Sequence, residues 1–124
     1  MRALLFVFLC VPILAQDWPE FRGPTGQGIS DERGLPLTWS ENKNVRWKVA
    51  IPGRGWSSPA IQGDKIWLTT ATEDGKSLRA ICVDRNTGVL LQNVEIFRLK
   101  DSGHINGKNS HASPTPVLEG DRIY

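Results

Sequence analysis

Two stretches of this chain follow the same pattern. Pro59-Ala60-Ile61-Gln62-Gly63-Asp64-Lys65-Ile66-Trp67 and Pro116-Val117-Leu118-Glu119-Gly120-Asp121-Arg122-Ile123-Tyr124 agree position by position, in identity or in kind. Each reads as a short strand, a two-residue Gly-Asp turn and a second strand. Glycine at the first turn position supplies the positive φ of a type II′ hairpin, whose twist suits the paired strands on either side. A supersecondary unit that returns after roughly sixty residues marks a repeat architecture, in which each unit buries its apolar face on a neighbour.

The residues between the two copies extend the first into a meander. Ser57 to Ile61, Ile66 to Ala71, Leu78 to Val83 and Val89 to Phe97 read as four consecutive strands. Gly63-Asp64 joins the first two. Asp74-Gly75, the pair favoured in type I′ hairpins, joins the next. Asp84-Arg85-Asn86-Thr87-Gly88 makes the last turn, with Gly88 placed for a left-handed conformation. Upstream, Val45-Arg46-Trp47-Lys48-Val49-Ala50 alternates with period two, which predicts a further strand with Val45, Trp47 and Val49 on one face. Four antiparallel strands joined by tight turns make one propeller blade. The predicted fold class is therefore all-β, a partial β-propeller of four-stranded antiparallel blades, with one blade over 57–97 and the start of the next over 114–124. Residues 98–113 connect them, and the whole predicted propeller portion covers 44–124.

The N-terminal residues differ in kind. Arg2 precedes the unbroken apolar run Ala3 to Val11, Pro12 breaks it, and Ala15 is a small residue before Gln16. This is the layout of a secretory signal peptide over 1–15, and the run is short for a bilayer span. An uncleaved anchor is the competing reading. Leu9 before Cys10 argues against a lipoprotein site. The chain is thus expected to be exported, to the periplasm, the outer membrane or the medium, with no membrane span after cleavage. Residues 16–43 are rich in Gly and Pro yet carry Trp18, Phe21, Leu35, Leu37 and Trp39. They read as an extended arm pinned by Trp18 and Phe21, since prolines bar a central strand and disordered linkers have few aromatics.

Charge and cysteine exclude several classes. Lys plus Arg number 15 and Asp plus Glu 13, scattered along the chain. No nucleic-acid partner is expected, because that would need clustered basic residues. Cys82 is the single cysteine left after leader removal, so a disulfide scaffold is excluded. Its apolar strand setting reads as a small buried hydrophobe.

Catalytic motifs fail on inspection. Gly55-Trp56-Ser57-Ser58-Pro59 has Pro where a nucleophile elbow ends in Gly. Gly107-Lys108-Asn109-Ser110 lacks the spacing and the Lys-Ser/Thr adjacency of a phosphate loop. Gly26-Gln27-Gly28 has no third glycine. Two histidines seven apart, with no cysteine beside them, make a poor zinc set. The five tryptophans read chiefly as packing residues. No catalytic, metal or cofactor-binding residue, and no cofactor, is assigned.

Leu78-Arg79-Ala80-Ile81-Cys82-Val83-Asp84-Arg85-Asn86-Thr87-Gly88 resembles the repeat of the pyrroloquinoline-quinone-like β-propellers, with its Ala-x-Asp-x-x-Thr-Gly-x-x-x-Trp element. Trp18-Pro19-Glu20-Phe21-Arg22-Gly23-Pro24 and Trp56-Ser57-Ser58-Pro59 look like the secreted bacterial members. Asp84, Thr87 and Gly88 match the element; Cys82 stands in place of its Ala and Gln92 in place of its Trp, the residue that docks one blade on the next in the family. The resemblance implies a toroid often of eight blades, of which this chain would be an N-terminal fragment. It also implies two functions. One is a non-catalytic binding or scaffold module presenting propeller loops to a protein or small-ligand partner. The other is the N-terminal part of a quinoprotein-type oxidoreductase with its active site in blades beyond Tyr124; the absence of a vicinal cysteine pair argues against quinone binding by these residues. The candidate partner surface is the long 98–113 loop, with His104, Lys108, Asn109 and His111.

Overall fold

The computed structural model describes residues 16–124, so the leader read over 1–15 lies outside the described residues. All regular structure among them is β: β1 (Ala60–Gln62), β2 (Lys65–Ala71), β3 (Ser77–Asp84), β4 (Leu90–Arg98), β5 (Leu118–Glu119) and β6 (Arg122–Ile123). The first four form one antiparallel sheet in sequence order, and β5 and β6 form a second sheet of two strands.

Local chemistry explains each connection. Gly63, at φ 55°, and Gly120, at φ 59°, open the two Gly-Asp turns. The turns set identical registers: Ile61 pairs Ile66 and Gln62 pairs Lys65 in the first copy, Leu118 pairs Ile123 and Glu119 pairs Arg122 in the second. At the β3–β4 turn one Asp84 carboxylate oxygen accepts from the Asn86 amide at 3.0 Å and from the Thr87 amide and hydroxyl at 2.8 Å each. Gly88 then takes φ 74° and its amide donates to the Asp84 carbonyl at 2.9 Å.

The core is centred on β3, where Ile81, Cys82 and Val83 are buried with Ala60, Ala71, Ala112 and Leu118. Among the described residues β4 pairs only with β3, and its register carries two bulges, at Leu91 and Ile96. Such insertions increase local twist and bend the strand.

The arm joins the two copies of the repeat. Trp18 and Ile61 exchange backbone hydrogen bonds, both at 2.8 Å, and the next carbonyl, that of Pro19, accepts from the Leu118 amide at 2.8 Å. Ile61 and Leu118 hold the same position in the two copies.

Several expectations are corrected. Val45–Ala50 runs outside any strand despite its alternation. Instead Trp47 turns onto the β3–β4 turn, where its indole Nε1 donates to the Arg85 carbonyl at 2.9 Å. Asp74-Gly75 does not form a type I′ turn, because Asp74 keeps a negative φ and only Gly75 is left-handed, at 68°. The loop is longer: the Gly75 amide closes on the Thr72 carbonyl at 2.7 Å and the Thr72 amide on Ser77 at 3.0 Å. The first strand is shorter than Ser57–Ile61. Pro59 has no donor, and the Ser57 hydroxyl takes over the pairing with Thr69, accepting from its amide at 2.9 Å and donating to its carbonyl at 3.3 Å. Of the two arm anchors, Trp18 is half-buried against Gly23, whereas Phe21 is exposed beneath the Arg22 guanidinium. Trp39 and Trp56 are likewise exposed, so the packing reading fits Trp18, Trp47 and Trp67 better than those two.

Candidate functional site

Cross-strand partners share a face, so the register assigns the surfaces of the first sheet. Thr70, Arg79 and Glu95 lie together on one face, with Ser77 next along the strand. Buried Ser77 donates to Glu95 at 2.5 Å, and Arg98 brackets the same carboxylate with bonds of 3.0 and 2.5 Å. Arg98 first, then the Ser77 hydroxyl, hold the Glu95 carboxyl below its ordinary pKa. This face is a satisfied polar network.

The opposite face is apolar. Trp67, Cys82 and Gln92 form one row, Thr69, Ala80 and Val94 the next, and Leu78 with Phe97 the last. Residues 111–116 are moored along it. The Thr69 hydroxyl donates to the Pro114 carbonyl at 2.9 Å, the Trp56 amide to the Ala112 carbonyl at 2.9 Å, and the Ser58 amide to the Thr115 hydroxyl at 2.9 Å. Ile123 and Tyr124 close one end. Between sheet, moored segment and β6 lies a half-open groove of about 450 Å3. Small-molecule sites occupy roughly 300–1,000 Å3 and pair apolar walls with a few polar groups.

His111 is the notable polar member. Its ring packs over Gly75 so closely that a Cβ there would come within 2.4 Å of Nδ1. Its Nε2 is shielded from water and has no hydrogen-bond partner among the described residues. Cys82, further along β3, is buried, and that burial raises its thiol above the ordinary cysteine pKa. A buried thiol in apolar surroundings is inert as a nucleophile.

The four loop residues singled out from sequence have different placements. His111 lines the groove. Asn109 caps its own turn, accepting from the Ser110 amide at 2.9 Å and from the Ser113 hydroxyl. His104 and Lys108 are exposed and are not part of the groove lining. Sequence reasoning did not find Trp67, Val94, Phe97 and Tyr124 as site residues, because the groove exists only once 111–124 folds back onto β2–β4. The period-two spacing of Trp67 and Thr69 on β2 was the available signal.

A smaller cleft, of about 380 Å3, lies between the tips of the two hairpins. Asp64 and Lys65 on one side face Asp121 and Arg122 on the other, so its charges balance. Among the described residues no group of three or more His, Cys, Asp or Glu could hold a metal ion, and no helix is long and apolar enough to cross a membrane.

No family model, curated protein or solved structure matches this chain.

Proposed function

We propose that this chain is a non-catalytic binding or scaffold module of an exported β-propeller, with the four-stranded sheet as one blade and β5–β6 opening the next. One observation carries the reading. The same hairpin, in the same register, occurs twice, and the arm hydrogen-bonds to equivalent residues of both copies, Ile61 and Leu118. Stacked repeats bury continuous apolar surface between units, and the groove between the sheet and the second hairpin lies where such burial occurs. Carboxylates near the turns serve structure: Asp84 binds its own turn, and Glu95 its ion-paired network. That leaves binding as the role of the apolar groove and its flanking loop.

The scaffold reading assigns no quinone site to these residues, which is tested by titrating the 124-residue chain with pyrroloquinoline quinone and calcium while following tryptophan fluorescence. The scaffold reading expects no change. Saturable quenching at micromolar quinone would replace it with the oxidoreductase reading.

A further inference from the structure

Independently of the binding-module reading, we propose that Asn106 is a self-modifying site: with the amide of Gly107 it closes to a cyclic imide, which water opens to aspartate or isoaspartate.

Asn106 is the one asparagine of the chain followed by glycine. Both residues are exposed, so water reaches the site. The loop turns here: the Asn109 amide donates to the Asn106 carbonyl at 2.8 Å, and the Lys108 amide donates to Oδ1 of the Asn106 side chain at 2.9 Å. An asparagine bonded to the backbone two residues on is folded over the peptide between, here that of Gly107. A Cβ at Gly107 would meet nothing within 4 Å, and glycine has the widest choice of backbone angles, so ring closure is unhindered. The Gly107 amide has no hydrogen-bond partner among the described residues.

The Gly107 nitrogen gives up its proton to solvent base and adds to Cγ of Asn106. The N–Cγ bond forms, the Cγ–Nδ2 bond breaks, and Nδ2 takes up a proton and leaves as ammonia. Negative charge develops on Oδ1 during the addition, where the Lys108 amide already donates. A donor placed beforehand at a developing oxyanion lowers the barrier. Water then adds to either imide carbonyl, one giving aspartate and the other isoaspartate. One water is consumed and one ammonia released. Either product adds a carboxylate to the loop that flanks the groove, and isoaspartate lengthens the main chain inside the turn closed by Asn109.

Other asparagines are held differently. Thr87 follows Asn86, and its amide is committed to Asp84 at 2.8 Å. Asn93 lies in β4 with its Oδ1 taken by Arg79 at 2.6 Å. Asn109 precedes buried Ser110 and accepts from its amide at 2.9 Å.

Incubating the 124-residue chain at neutral pH and mapping it over time by peptide mass spectrometry tests this. Conversion is expected first at Asn106, with isoaspartate present, a product that direct hydrolysis of the side-chain amide does not form. The rate should climb with pH, since the Gly107 nitrogen must lose a proton. Gly107→Ala should slow conversion roughly ten-fold, equivalent to about 1.4 kcal/mol in the barrier. The same chain unfolded in guanidinium reads the contribution of the turn. Asn106 should convert no faster there, whereas Asn109, released from Ser110, should convert faster. Aspartate without isoaspartate, earlier conversion at another asparagine, an unchanged rate in Gly107→Ala, or faster conversion of Asn106 on unfolding would each overturn the proposal.

Discussion

The indole of Trp47 packs against the α-carbon of Gly88 so closely that a Cβ at Gly88 would come within 2.6 Å of the ring. The same ring is fixed by its Nε1 bond to the Arg85 carbonyl, 2.9 Å away. A single turn thus receives a tryptophan from distant chain, and Gly88 is needed there twice, for its φ of 74° and for the space. Gly88→Ala should therefore destabilise by about 2–4 kcal/mol, combining left-handed strain with overpacking. Urea denaturation followed by far-UV circular dichroism measures this, and a loss below about 0.5 kcal/mol, the scale of an ordinary surface change, would show that the contact is dispensable.

This contact also marks what the sequence could and could not reveal. The meander was legible because its signals are local: short apolar runs in β2 and β3 bounded by turn residues, Gly63 and Gly120 before Asp, and Asp84 three residues before Thr87. Val45–Ala50 alternates cleanly, yet alternation specifies a half-buried extended segment and not a hydrogen-bonded neighbour. Trp47 and Val49 accordingly sit half-buried without belonging to a strand. Asp74-Gly75 serves two turn chemistries, and the Thr72 hydroxyl decides between them by accepting from the Ser77 amide at 3.0 Å, which lengthens the loop. The groove depends on contacts between β2–β4 and residues more than a dozen positions away, so no local pattern announced it. His111 could be picked out as a loop histidine, but not distinguished from His104.

The Ser57 hydroxyl substitutes for a strand partner of Thr69. Ser57→Ala leaves the half-buried Thr69 amide unpaired and should cost about 1–2 kcal/mol, near the low end for an unsatisfied donor. Hydrogen exchange at the Thr69 amide should accelerate in the variant while the Ile81 and Val83 amides, at the sheet centre, change only with global stability. Unchanged Thr69 exchange would show that the hydroxyl is not the partner.

Acid should weaken the fold through three carboxylates. The Thr87 hydroxyl, then the Thr87 and Asn86 amides, hold Asp84 below its ordinary pKa; the Thr72 hydroxyl and Lys76 amide do the same for Asp74; Arg98 and Ser77 do so for Glu95. A folded pKa below the unfolded one means that the unfolded chain binds more protons in that window. The stabilisation is fully present above the unfolded carboxylate pKa and is lost as pH falls through the depressed folded values. Urea midpoints should be flat from neutral pH down to the ordinary carboxylate range and drop below it. Asp84→Asn should make that drop shallower; an identical acid profile in the variant would contradict the assigned role.

The arm ties equivalent residues of the two hairpins together through Trp18 and Pro19. Scalar couplings across hydrogen bonds, measured by NMR on isotope-labelled chain, address this directly. The Ile61 amide should couple to the Trp18 carbonyl carbon and the Leu118 amide to the Pro19 carbonyl carbon, matching the 2.8 Å bonds at each. Both amides should also exchange slowly with solvent. A coupling at Ile61 with none at Leu118, and a Leu118 amide exchanging as fast as unstructured chain, would contradict the repeat account.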